Sequence, residues 1–154
     1  MISVGLLQAS SDLLGKDSNH NLIRDDVEHW IDKTYTHPVE RGLLRQAAQM
    51  YQGQLQRANT MMQDIEGTIA FKRAHIDSYV ACELYWTYEA KEAGEAFVLP
   101  EGDTYFAHAL EQKQFNNPAR KKAAEILERI LEKRTCPLVE PDRSKCNFTY
   151  KGKK

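Results

Sequence analysis

The sequence has no apolar run approaching the roughly 20 residues that cross a bilayer, which excludes a membrane-spanning helix. It has no surplus of either charge. Lys and Arg number 21, Asp and Glu 22, for a formal net charge of -1. A nucleic-acid binder shows a basic excess on one face, and an acidic disordered tail shows a block of one sign. Neither class fits. The chain also lacks a Gly-rich phosphate loop, a nucleophile elbow and a His-Glu-x-x-His pattern. It has no repeats and no low-complexity stretch. Cysteine is scarce, at three. What is left is 154 residues, 42% hydrophobic and 28% charged, the profile of one soluble globular domain of residues 1–154. The first residues, Met1 to Leu7, carry no positive segment and too short an apolar stretch for a signal peptide. The protein is therefore cytosolic, or its export signal has been removed.

Helical periodicity dominates. A first helix is expected from Arg24 or Asp25 to about Tyr35, with Val27, Trp30 and Ile31 on one face and acidic residues in the first turn. His37-Pro38 ends it, and Pro38 opens a second helix carrying Leu44, Ala47, Ala48, Tyr51, Leu55 and Ala58. Asn59-Thr60 is read as a break, with Thr60 and Gln63 forming a capping box. A long third helix buries Ile65, Ile69, Ile76, Val80, Leu84 and Tyr85 and stops near Ala93, where Gly94 takes the left-handed position. Phe97 to Pro100 reads as an extended link and Glu101-Gly102 as a turn. A fourth helix is expected from Asp103 or Thr104, burying Phe106, Ala107 and Leu110. A fifth starts at Asn117-Pro118 and carries Ala123, Ile126, Leu127, Ile130 and Leu131. The expected fold is all-α, a bundle of about five helices with an irregular C-terminal tail.

Cys136 and Cys146 flank a turn-rich, Pro-containing stretch. The expectation is a Cys136–Cys146 disulfide closing residues 136–146, which a loop-entropy argument values at roughly 2–3 kcal/mol. Cys82 reads as a small core residue. Its pairing with a C-terminal cysteine stays open, because spacing does not fix connectivity.

Residues 17–28 carry the chemistry. With Asp17 as the first position, oxygen-bearing side chains fall at positions one, three, five, nine and twelve. These are Asp17, Asn19, Asn21, Asp25 and Glu28, and Ile23 offers its carbonyl at position seven. Alternate residues of a tightly curled loop converge, and a helix starting at the loop's end returns a carboxylate from position twelve. Calcium takes roughly six to eight hard oxygen donors, and calcium loops of the EF-hand kind use this spacing. Leu22 stands at position six, where the motif has Gly. That position needs a positive φ, which costs a leucine about 1 kcal/mol or more and lowers the expected affinity.

The run Asp17-x-Asn19-x-Asn21-x-Ile23-Arg24-Asp25-Asp26-Val27-Glu28 resembles a segment of small exported bacterial helical proteins, where it reads D-x-N-x-N-G-I-R-D-D-V-E. Similar loops occur in thrombospondin-type-3 and dockerin repeats. Asn117-Pro118-x-Arg120 and Cys146-Asn147-Phe148 also look similar to that family. The resemblance covers about the first 30 residues firmly and the rest loosely. It implies a periplasmic or secreted helical protein with an EF-hand-like calcium loop, and it implies no known enzymatic activity.

The other candidates are weaker. His108 and Glu111 share a helix face but make no metal site, and His75, beside the third helix's apolar stripe, reads as a satisfied or exposed histidine and not a ligand. Cys82 as a nucleophile would need a partnering base. Glu89, Glu92 and Glu95 read as an acidic, solvated edge. Tyr79, Tyr85, Trp86 and Tyr88 span too much of one helix to share a single core face, so some of them are expected on the surface as a partner-binding patch. The functional expectation is a non-enzymatic exported protein that binds another protein, with calcium as a structural staple. An immunity or inhibitor protein neutralising a secreted toxin fits that size and compartment. The alternatives are a hydrolase with a site assembled from distant residues and a calcium sensor or buffer. The sensor ranks last because only one loop is visible.

Overall fold

The computed structural model describes residues 11–100 and 106–151. They form an all-α fold, with no strand among the described residues. Local capping chemistry sets most of the boundaries. A four-residue turn of helix, α1 (Ser11–Leu14), precedes the loop. Helix α2 (Asp25–Thr34) opens on Asp25, Asp26 and Glu28 at its positive end. Helix α3 (Pro38–Gln56) begins where the His37 ring nitrogen accepts from the Val39 amide at 3.2 Å, with Pro38 pre-set for the first turn. Helix α4 (Ile65–Phe71) is capped by Asp64, whose carboxylate accepts from the Gly67 amide at 2.9 Å. The Thr60–Gln63 capping box is thus corrected. Thr60 lies inside a turn and donates its hydroxyl to the Arg57 carbonyl, and Asp64 four residues on is the cap.

The long third helix is real but irregular. Between α4 and α5 (Asp77–Leu84) lies a π-helical turn, Lys72–Ile76, and a second one, Tyr85–Glu89, follows α5. The first wide turn brings residues five apart together. The Asp77 amide donates to the Lys72 carbonyl, and the largely buried Lys72 ammonium sits 2.6 Å from Asp77. The helical elements end at Glu89, and a run of turns leads to Gly94, which takes the expected left-handed conformation at φ +78°. Helix α6 (His108–Gln114) buries Leu110; its expected start at Asp103 or Thr104, and the Glu101-Gly102 turn, lie outside the described residues. So does the Met1–Leu7 stretch. Helix α7 (Pro118–Glu132) starts with the Asn117 side chain accepting from the Arg120 amide at 2.9 Å.

Helix α3 is the centre. Val39, Leu43, Leu44, Ala47 and Ala48 are fully buried and meet Ile23, Val27 and Ile31 from the α2 side and Tyr79, Cys82 and Trp86 from the α5 side. A smaller cluster joins Leu13, Leu55, Phe115 and Ala123, and a third joins Met61, Leu127 and Ile130. No described helix is long and apolar enough to cross a membrane.

The cysteine pairing differs from the expectation. The disulfide joins Cys82 to Cys146, and Cys136 is free and exposed. The expected Cys136–Cys146 bridge fails because the tail does not turn on itself. It runs back along α5, where the Asp142 amide donates to the Ala81 carbonyl at 2.9 Å, and a short 3₁₀ turn (Arg143–Lys145) sets Cys146 beside Cys82. The Phe148 ring then lies on Gly42 of α3, where a Cβ would stand 2.5 Å from the ring. Thiol counting on denatured, unreduced protein should find one free thiol, and alkylation mapping should place it at Cys136. With the joined cysteines 64 positions apart, Cys146→Ser should lower unfolding free energy by about 4 kcal/mol. Retained stability in urea titration would refute the pairing as a structural bond.

Candidate metal centre

The loop between α1 and α2 curls on side-chain acceptors. Asp17 receives two backbone amides, Asn21 at 3.2 Å on one oxygen and Leu22 at 2.9 Å on the other. Asn19 accepts from the Asn21 amide at 3.2 Å and Asn21 from the Ile23 amide at 2.9 Å. These Asx-type turns bend the chain at every second residue. Leu22 sits at φ +64°, the left-handed position that the spacing requires there, and His20 at φ +57°. Histidine tolerates that region better than leucine does. The loop's end is anchored by Ile23, buried in the core, and by the Asp25 amide donating to the Lys16 carbonyl at 2.8 Å.

Glu28 returns to the loop from the first turn of α2. One of its oxygens accepts from the Asn21 amide group at 2.7 Å and the other from that of Asn19 at 3.0 Å. Four of the expected ligands, Asp17, Asn19, Asn21 and Glu28, therefore form one hydrogen-bonded constellation. Ile23 follows directly, its amide tied to Asn21. Asp25 departs from the expectation. Both its oxygens accept from Ser18, from the amide at 2.8 Å and the hydroxyl at 2.7 Å. Its role here is to brace the loop's second residue. No third Asp, Glu, His or Cys joins Asp17 and Glu28 in a metal-holding group among the described residues. The donor set is oxygen only, with two carboxylates, two amides and a backbone carbonyl. That chemistry suits a hard divalent cation and gives soft metals no thiolate or imidazole.

Next to the loop stands an unexpected device. Gln49 of α3 donates to the Asn21 carbonyl at 3.0 Å and accepts from the Asn147 side chain at 2.8 Å, tying the loop to the residue after Cys146. Gln46 donates to the Lys145 carbonyl at 2.9 Å and accepts from the Asn147 amide at 3.1 Å. Gln52 donates to the Leu14 carbonyl at 2.8 Å and accepts from Gln114 at 3.0 Å. Sequence reading passed over these residues. The available signal was a glutamine at every third position of an otherwise apolar stripe. Arg24, the residue before α2, is buried as well. It pairs with Asp26 and donates to the Lys113 and Gln114 carbonyls at the C-terminal end of α6.

The expected aromatic patch shrinks to one residue. Tyr79, Tyr85 and Trp86 are buried, and only Tyr88 is exposed, at 58%. Two things account for the correction. The wide turn at Tyr85–Glu89 changes the helical register on which the argument rested. The tail covers the rest, with the Tyr150 ring edge-on to Trp86 at 5.7 Å, the Arg143 guanidinium 5.6 Å from the Trp86 ring, and Phe97 beside it. Glu95 of the acidic edge belongs to the same seam. It accepts from the Tyr85 hydroxyl at 2.9 Å and pairs with Arg143 at 2.9 Å. His108 and Glu111 stand 3.9 Å apart on α6.

Comparisons with protein-family models, with curated proteins and with solved structures give no match to this chain.

The two bonds from Ser18 hold the Asp25 carboxyl below its ordinary range, the hydroxyl contributing most. A carboxyl depressed in the folded state stabilises above its unfolded pKa and loses that contribution as pH falls through the folded value. Ser18→Ala should therefore raise the Asp25 pKa toward that of an ordinary aspartate. Carboxyl titration by NMR checks this, and an unmoved Asp25 would show that Ser18 does not hold it.

Proposed function

We propose that this chain is a calcium-stapled helical protein of an oxidising compartment, periplasmic or secreted, that acts by binding another protein. The observation that carries the reading is the loop of residues 17–28, with Asp17, Asn19, Asn21 and Glu28 gathered at its centre and Leu22 forced into the left-handed position. A bound calcium ion would be held by the Asp17 and Glu28 carboxylates, by the side-chain oxygens of Asn19 and Asn21 once those amides turn over, and by the Ile23 carbonyl. It would supply a +2 charge and fixed coordination. Asp25 would act from outside through Ser18. The two carboxylates balance a divalent charge, and protein ligands so nearly fill the coordination that the ion's role is structural.

The compartment follows from two supports. A disulfide persists where thiols are oxidised. A loop with leucine at position six suits the millimolar calcium found outside cells better than cytosolic traces. Within that reading, an immunity or inhibitor protein that blocks a secreted toxin fits a small, crosslinked, single-domain binder. A sensor is less favoured, since sensor loops work in pairs and a single loop is present in the sequence.

Calorimetry on EDTA-treated protein tests the staple. Calcium should bind with measurable heat and raise the melting temperature, and Glu28→Gln should weaken binding by tenfold or more. Absence of both heat and thermal shift at millimolar calcium would sink the reading.

A further inference from the structure

A cleft of 660 Å³ lies between α3, the first π turn with α5, and the crosslinked tail. It is unrelated to the aromatic seam, and its volume is in the range of ligand sites. Its described lining contains Arg57, His75 and Lys145 and no acidic side chain. Phe71 forms an apolar wall, with the Arg57 guanidinium 5.8 Å from its ring and the His75 ring 4.8 Å away. Arg57 also touches Asp64, at 3.4 Å, but that carboxylate is itself exposed and outside the cleft. Gln56, exposed on the same side, adds an amide. One wall includes residues of a π-helical turn, a distortion found often at functional sites.

Leu22 sharpens the inference. It borders this cleft, it is 48% exposed, and it sits at φ +64°. Glycine would relieve the backbone strain there, and half-burial brings leucine little in return. Strain kept for a solvent-facing apolar side chain points to a contact made with something else.

We propose that this cleft docks an acidic segment of the partner protein, with an apolar residue of that segment against Leu22 and Phe71 and its carboxylates toward Arg57, His75 and Lys145. The proposal rests on the protein-binding reading and names the surface that the buried aromatics do not supply. Charge complementarity selects the occupant: the described walls offer only positive and neutral groups, so an acidic segment is attracted and a basic one repelled. A calcium ion in the loop, whose position six lines the cleft, would cancel the Asp17 and Glu28 charges that would otherwise repel an acidic segment.

The test uses the full calcium-loaded chain and a fluorescein-labelled peptide alternating glutamate and leucine, read by fluorescence anisotropy. The peptide should bind, weaken as salt rises, and outcompete the same peptide with lysine for glutamate. Leu22→Gly should lower its affinity about tenfold while holding or raising the melting temperature, a pair of opposite effects that a structural role for Leu22 does not produce. Arg57→Glu combined with Lys145→Glu should reverse the preference between the two peptides. Equal binding of both peptides, or an unchanged affinity in Leu22→Gly, overturns the proposal. Sedimentation velocity covers the other occupant: a dimer of this chain that the double variant dissolves would assign the cleft to a second copy and overturn it. Host-protein capture separates this proposal from the reading beneath it. A protein retained equally by wild type and both variants leaves protein binding standing and removes the cleft.

Discussion

Three glutamine side chains on one helix hold the irregular parts of this protein in place. Gln46, Gln49 and Gln52 recur every third residue along α3, and each spends both ends of its amide. Together they fix the C-terminal tail, the Asn21 carbonyl in the 17–28 loop, and the end of α1. These partners are mostly backbone groups with no helical or sheet ladder to satisfy them. Buried backbone polar groups without partners cost about 1–3 kcal/mol each. An amide side chain, with a donor and an acceptor a fixed distance apart, can serve two such segments at once. Helix α3 is thus both the apolar centre of the bundle and the polar spine for everything that is not helix.

The tail is the second dependent layer. It is tied to α3 by Gln46, to α5 by the disulfide and the Ala81 carbonyl, and to the aromatic cluster by Arg143 and Tyr150. Its removal would uncover Trp86, the largest of the fully buried side chains. Burial holds the neighbouring Tyr79 hydroxyl well above the usual phenol range and so neutral at any physiological pH. Tyr79, Tyr85 and Trp86 are therefore core in a strict sense, though the cover comes from residues far along the chain.

What was legible in the sequence was local. Pro38 and Asn117-Pro118 set helix starts through contacts within four residues, the acidic pair Asp25 and Asp26 marks the start of α2, and α2, α3 and α7 fall where they indicate. The all-helical class follows from the same periodicity. The curl of residues 17–28 was legible for the same reason, since its hydrogen bonds run within a twelve-residue span, and the positive φ at Leu22 was implied by its position. Long-range pairings were not. Spacing could not decide that Cys146 joins a residue 64 positions away. Nor could a helical wheel drawn at 3.6 residues per turn foresee the wide turns at Lys72–Ile76 and Tyr85–Glu89 or the Tyr150 ring over Trp86. Gln49 on a helix reads as a solvent-facing residue until the loop and tail that use it are placed.

Loop and crosslink are parts of one mechanical unit. The Asn21 carbonyl and the Asn147 side chain meet the same Gln49 amide, and Asn147 is covalently next to Cys146. A constraint on either side narrows the rotamers available to Gln49 and lowers the entropy cost of the bond on the other. Stabilisation by an ion in the loop and by the disulfide should therefore not simply add, as is the rule for residues that share a partner. Leu22 lies on the same seam, bordering the cleft that the tail helps to wall. The strained residue is held by two independent anchors: the Asp17 carboxylate at its amide, and the buried Ile23 that follows it. With the backbone fixed on both sides, the leucine has no relaxed conformation to fall into, and its side chain stays directed at the cleft.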